Sequence, residues 1–204
     1  MLENSGERII PDLMKPTNGM LLEHVARYYF ATPYVKGKVL DIACGTGYGT
    51  QMIAKLCKNK AEVVVGADKD AKALTYAKGR YHHPLIRWAE ADAENAELPS
   101  ALGTFTTIVS FETIEHLHDD RRFLRNLHAM LEPGGTLVLS TPFGRGRGRP
   151  TNEPFHVHQL TPDEFRALFG SFRDVDFFYQ RGVTFEPRQR DGIRYPFGIA
   201  VARK

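Results

Sequence analysis

Between residues 39 and 140, short apolar runs rich in β-branched residues alternate with longer stretches whose apolar positions recur every third or fourth residue. The runs 39–42, 63–67, 85–89, 106–111 and 136–140 predict strands, several continuous enough to be buried on both faces. The intervening segments 49–57, 71–81 and 119–131 predict helices, the last stopped by Glu132-Pro133-Gly134-Gly135. Strand and helix in alternation imply a parallel sheet wound by right-handed crossovers. Further on, Thr161-Pro162-Asp163-Glu164 offers an N-cap, a first-turn proline and an acidic pair that suits the helix dipole, opening a helix to residue 169. Two more strands are expected at 175–180 and 197–202, so the fold class is α/β, an open doubly wound sheet of seven strands with helices on both faces. Ahead of the repeating unit, Thr17 or Asn18 can cap a helix to about Tyr29 that carries Met20, Leu21, Val25 and Tyr28 on one face, a lid or flank.

The chain has 204 residues, enough for one core. It is read as a single domain: a helical lid at 1–35, a cofactor-binding core at 36–141, an Arg-rich acceptor loop at 142–160, and a C-terminal helix with strands at 161–204. Cys44 and Cys57 are too few for a zinc knuckle or a disulfide framework, which points to a reducing compartment. No apolar run approaches the roughly 20 residues that cross a bilayer, and residues 1–11 carry charges where a signal peptide needs apolar residues. A soluble, cytoplasmic protein is expected. The net charge of +3 excludes the dense positive field of a dedicated DNA binder. Cation type is more telling: nine lysines lie between Lys15 and Lys78, whereas Lys204 is the only lysine after them. Arginine's planar fork suits carboxylate and phosphate, so the second half is where an anionic substrate is sought. Arg145, Arg147 and Arg149, spaced by glycines, are the first candidates, with a solvated loop as the alternative. No aromatic residue interleaves with them, which weakens a single-stranded nucleic-acid reading.

Val39-Leu40-Asp41-Ile42-Ala43-Cys44-Gly45-Thr46-Gly47-Tyr48-Gly49 is a strand running into glycines that open a helix. In doubly wound sheets this turn lies outside the carboxyl end of the first strand, where a cofactor approaches the backbone. A dinucleotide fingerprint would put glycine at position 50, but Thr50 stands there. Asp41, four residues before the first glycine, would repel a diphosphate and suits a cofactor with a cationic amino-acid end. Cys44 reads as a small filler.

The motifs resemble those of class I S-adenosylmethionine-dependent methyltransferases, in order and over nearly the whole chain. The resemblance implies a Rossmann-like sheet with an antiparallel last strand. It also implies that Gly45 and Gly47 let the loop, with Ala43, pass the methionyl part of the cofactor while Asp41 orients its ammonium. Asp68, closing Val65-Gly66-Ala67-Asp68, would accept the ribose hydroxyls with Lys69 beside the adenine. Asp92 and the Ala93 amide, in Ala91-Asp92-Ala93, would hold the adenine edge, and Phe111 and Glu112 would line the sulfonium end. A bland alternative stays beside these, since an Asp at a strand end can simply cap the next helix.

Transfer from a sulfonium asks the protein mainly for in-line positioning and for a way to take the acceptor's proton. Phe111-Glu112-Thr113-Ile114-Glu115-His116 leaves the fourth strand, and Pro154-Phe155-His156-Val157-His158 precedes a helix. Three readings stay open: His116 as general base or orienting group; Glu112, Glu115, His116 and His156 as ligands of one Mg²⁺ or Mn²⁺ that lowers the pKa of a bound hydroxyl; or histidines that are purely structural. The E-x-x-E-H element is similar to that of metal-using O-methyltransferases of small-RNA 3′ ends and of ubiquinone synthesis. Gly6-Glu7-Arg8, Glu23-His24-x-x-Arg27-Tyr28, Pro154-Phe155-His156-Val157 and Thr161-Pro162-Asp163-Glu164-Phe165 resemble bacterial methyltransferases associated with cell-surface polysaccharide synthesis. They imply a sugar hydroxyl as acceptor, and a first helix over the cofactor with His24, Arg27 or Tyr28 near its carboxylate. A small-molecule acceptor, saccharide or otherwise hydroxylated or anionic, and a monomer or homodimer are expected. An RNA methyltransferase and a non-catalytic binding module are the alternatives.

Overall fold

The computed structural model describes residues 8–151 and 153–204, so Gly6 and Glu7 of the N-terminal motif lie outside the described residues. After a 3₁₀ turn at Pro11–Leu13 come α1 (Gly19–Ala31), β1 (Gly37–Ile42), α2 (Tyr48–Leu56), β2 (Ala61–Asp68), α3 (Ala71–Arg80), β3 (Ile86–Glu90), α4 (Leu98–Leu102) and β4 (Phe105–Phe111). A 3₁₀ turn at Ile114–His116 leads to α5 (Asp120–Met130), β5 (Leu131–Pro142), α6 (Pro162–Ala167), β6 (Asp174–Arg181), β7 (Thr184–Glu186) and β8 (Phe197–Arg203).

The sheet has eight strands in the order β3-β2-β1-β4-β5-β8-β6-β7. Strands β1 to β5 run parallel, and β8 inserts antiparallel between β5 and β6. The expected count of seven is corrected by β7, three residues that pair antiparallel with β6 across a turn at Gly182, whose φ is +58°. Each central strand is buried on both sides. Leu40, Ile108, Leu137 and Ala200 pack under α5 and α6 with Phe123, Leu127 and Phe165, whereas Val39, Val109, Val138 and Ile199 pack under α1, α2 and α3 with Tyr28, Ile53 and Ala77. This two-sided cover is why the strands read as continuous apolar runs rather than alternating ones.

Local signals set the helix ends. Asn18 caps α1 by accepting from Leu21 N, Asp70 caps α3, Asp119 caps α5, and Thr161 with Glu164 closes a capping box on α6. Helix α5 stops one residue short of the expected 131, because Leu131 is already extended and pairs with Phe105. Among the described residues no helix is long and apolar enough to cross a membrane.

The chain runs outward from β1 to β3 and then returns to place β4 on the other side of β1. The order therefore reverses between β1 and β4, and a crevice opens outside their carboxyl ends.

Candidate functional site

That crevice is a cleft of about 850 Å³. Of the residues expected to hold a cofactor, Ala43, Gly45, Asp68, Lys69, Asp92, Ala93 and Phe111 line it, while Asp41 and Gly47 do not. Two non-glycine residues on its floor have left-handed backbone, Ala43 (φ +57°) after β1 and Glu112 (φ +51°) after β4. Such conformations are stored at a cost of about 1–3 kcal/mol each and concentrate where function fixes the backbone.

The glycines of the β1–α2 loop do different jobs. A Cβ at Gly45 would meet no atom within 4 Å, so this position faces the open cleft. At Gly47 (φ +82°) it would strike the Trp88 ring at 2.4 Å, and at Gly49 the Tyr28 ring at 1.8 Å. Gly49 is thus required by packing of α1, not by a ligand. The Asp68 carboxylate pins the loop by accepting from Gly45 N at 2.7 Å, and accepts from Asp70 N at 2.9 Å with its other oxygen. Asp70 in turn pairs with Arg8 at 2.7 Å. Thr46 Oγ1 donates to the Ile9 carbonyl at 2.8 Å, drawing the segment ahead of α1 over the loop.

Asp41 lies beneath this loop, 1% exposed, accepting from Thr50 Oγ1 at 2.6 Å and from the Tyr28 hydroxyl at 3.2 Å. Burial pushes its carboxyl up to about 7, although both hydrogen bonds act to lower it. The structure therefore puts Tyr28 at the cleft wall and Asp41 behind it. The Tyr28 ring stands edge-on to Phe111 and Tyr48, with centroids 4.9 Å and 5.5 Å away. Tyr48 Oη lies 3.2 Å from His24 Nδ1, whose pKa is lowered by burial and by the charge of Arg27, leaving a neutral imidazole. Arg27 itself is fully buried, donates from Nε to Gln180 at 2.6 Å and stacks over Phe197.

At the other end of the cleft, residues distant in sequence are stitched together by backbone. The Glu115 carbonyl accepts from Val157 N at 2.9 Å, and His116 Nδ1 lies 2.9 Å from the Phe155 carbonyl, a contact that requires Nδ1 to donate and leaves Nε2 as the nitrogen facing other partners. The rings of His116 and His156 meet edge-on at 4.9 Å. One donor atom from each of Glu115, His116 and His156 falls within 4.8 Å of the others. Glu112 also lines the cleft but is not part of that group; its Oε1 accepts from Ser140 Oγ at 2.7 Å and lies 3.7 Å from Arg27. Burial, reinforced by the negative charge of Glu112, pushes the Glu115 carboxyl well above the usual carboxylate range. Burial and the neighbouring His116 and His158 hold His156 down at about 4, a neutral ring.

None of Arg145, Arg147 and Arg149 lines the cleft. The Arg147 guanidinium bonds to Asp120 at the start of α5, and its amide donates to Glu164. Sequence reasoning passed over Tyr48, Gln159, Arg194 and Phe197, all of which line the cleft. Only Tyr48, beside the glycines, had a positional signal.

Residues 39–135 match the model of a family described as a methyltransferase domain. A probable S-adenosylmethionine-dependent methyltransferase of Mycobacterium tuberculosis is 35% identical over 198 residues, covering 94% of this chain and 68% of that protein. A ubiquinone biosynthesis O-methyltransferase of a Caulobacter species is 30% identical over 170 residues, 76% of this chain and 66% of that protein. The crystal structure of an S-adenosylmethionine-dependent methyltransferase from Mesorhizobium loti shares the fold, with a TM-score of 0.63 at 20% identity over 92% of this chain and 99% of that one. With the reversal point, the glycine loop and the acids that end β2 and follow β3 on one cleft, these likenesses show that the chain belongs to the class I S-adenosylmethionine-dependent methyltransferases.

Proposed function

We propose that this methyltransferase acts on an oxygen of a small hydroxylated acceptor, a saccharide among the candidates, with His116 taking the acceptor's proton. The carrying observation is the orientation of His116: Nδ1 is committed to the Phe155 carbonyl in a residue that lines the cleft, which makes Nε2 the nitrogen that would accept the proton. The cofactor half fits S-adenosylmethionine by its shape, since Gly45 leaves open the space a side chain would fill and Asp68 and Asp92 supply acceptors beside it. When bound, that cofactor supplies an electrophilic methyl group and leaves as the neutral thioether. Ala43, Gly45, Asp68, Lys69, Asp92, Ala93 and Phe111 would hold it, and Asp41 acts through Tyr28 and Thr50, which it positions. On transfer the acceptor's O–H bond would break and its proton would pass to His116 Nε2, while buried Glu115 and the His156 ring, held neutral by its lowered pKa, would confine the acceptor.

A second reading keeps a divalent cation, favoured by the mutual approach of Glu115, His116 and His156 donors and by the carbonyl bond that orients the His116 ring. These three residues would hold it, and Glu112, turned to Ser140, would not.

Calorimetry with S-adenosylhomocysteine tests the cofactor half: binding below about 100 μM is expected, weakened at least tenfold in Asp68→Ala. Radiolabelled methyl donor offered to metabolite and RNA fractions tests the acceptor half. Turnover that survives chelator but collapses in His116→Ala supports the base. Turnover abolished by chelator with cofactor binding intact supports the cation, and label found only in RNA overturns the small acceptor.

A further inference from the structure

The connection between β7 and β8 is braced on both sides of Arg194. Tyr195, 4% exposed, donates its hydroxyl to Glu186 at 2.7 Å, and the other Glu186 oxygen accepts from Arg190 at 2.6 Å. Ile193 N bonds back to the Arg190 carbonyl at 3.2 Å, and the Pro196 carbonyl accepts from Phe143 N at 2.7 Å. With its neighbour pointing inward and the backbone tied before and after, Arg194 is presented to the cleft, which it lines together with Phe197, Gln159 and His156.

Its charge has no ion-pair partner among the described residues, and the other cations nearby are spoken for. Arg27 is buried against Gln180 and Phe197, Arg147 is bound to Asp120, and Arg8 and Lys69 lie at the β2 end of the cleft, where Arg8 pairs with Asp70. The acids facing the acceptor are also accounted for: Glu112 by Ser140 and Arg27, Glu115 by its burial. Glu153 is the remaining charged side chain on that rim.

Resting on the reading of this end as the acceptor site, we propose that Arg194 binds an anionic group of the acceptor, a carboxylate or phosphate, so that the enzyme methylates a hydroxylated acid in preference to a neutral alcohol. Arginine's fork forms paired charge-assisted hydrogen bonds with such a group, and a braced loop loses little conformational freedom when it does so. The anion would fix the substrate at the rim while its hydroxyl faces His116.

The test offers radiolabelled methyl donor and enzyme to a small-molecule cell extract and separates the products by anion exchange at pH 7. Retention of the labelled product is expected, and phosphatase treatment distinguishes a phosphate from a carboxylate. With the purified acceptor fraction, Arg194→Met should raise KM roughly 10- to 100-fold with kcat nearly unchanged, Arg194→Lys should fall between, and affinity for S-adenosylhomocysteine should not move. A neutral labelled product, including a methyl ester of the anion itself, overturns the proposal, as does an unchanged KM in Arg194→Met. An equal rise of KM in Glu153→Gln overturns it too, because Arg194 would then latch the rim to Glu153 rather than hold substrate. No labelled product at all, with S-adenosylhomocysteine still bound, sinks the small-acceptor reading first and this inference with it.

Discussion

Beneath the glycine loop, Asp41 is a buried acid held between two hydroxyl donors, and its carboxyl is raised from an ordinary 3.8 to about 7. A raised acid stabilises the fold only while protonated in it. The stability is therefore intact below about pH 4, declines as pH rises toward 7, and is fully lost above that. The displacement corresponds to roughly 4 kcal/mol. Asp41→Asn removes this titration and keeps a side chain able to accept from Thr50 and Tyr28. On going from pH 5 to pH 8 the urea midpoint should change by a more negative amount in the wild type than in the variant, whatever other groups add to both; equal signed changes would show that Asp41 does not titrate in this window. The same loop shows what a sequence can and cannot disclose about single residues. Glycine spacing marks a place where backbone must turn, yet Gly45 faces open cleft, Gly47 meets Trp88 and Gly49 meets Tyr28, and these partners come from β3 and α1. Spacing alone cannot assign them.

Among the elements, the inner strands were legible because cover on both faces imposes uninterrupted apolar runs such as Val39-Leu40 and Val64-Val65, and the edge strand β3 by its place in the strand–helix alternation. Strand β7 was not, since Thr184-Phe185-Glu186 carries no period and exists by pairing with β6. Helix α4, five residues containing Pro99, likewise has no amphipathic signature to read. The loop between β5 and α6 looked from its composition like a mobile anion grip. In the structure Arg147 instead satisfies Asp120, whose side chain is 5% exposed and also lies 3.4 Å from His158 Nε2. Burial works to raise the Asp120 carboxyl, but the bonds to His158 and Arg147 outweigh it and hold it low. Removing the arginine leaves a nearly buried carboxylate with one partner fewer. Because Arg147 is itself about a third exposed, Arg147→Ala should cost about 1–2 kcal/mol rather than the full penalty of a buried pair. Arg147→Ala with Asp120→Asn should be less destabilising than the two singles added; a strictly additive double variant would mean that the pair does not anchor this loop.

Across the whole molecule, the cleft draws residues from near one end of the chain to near the other, from Arg8 and Ile9 to Arg194 and Phe197. One part of its wall is the segment before α1, tied at three points: Arg8 to Asp70, the Ile9 carbonyl to Thr46, and Asp12 to Arg80 and Tyr76. The first and third ties are partly or largely solvated ion pairs that water and salt screen, so this strap should open far more easily than β1, β4 and β8 in the sheet centre. Its own amides report on that opening, because Leu13 N bonds to the Ile10 carbonyl and Met14 N to the Pro11 carbonyl. A ligand that touches the closed strap must release it before the strap opens, and by linkage its binding suppresses opening by up to roughly 100-fold at 100 times its Kd. Hydrogen exchange with and without S-adenosylhomocysteine should therefore show Leu13 and Met14 exchanging early in the free protein and slowing sharply in the complex. Asp12→Ala should speed them in the free protein while weakening ligand affinity only severalfold. Protection that rises across the sheet but leaves Leu13 and Met14 unchanged would mean that the strap opens with ligand in place, and that the cofactor half of the cleft is closed by α1 and the glycine loop alone.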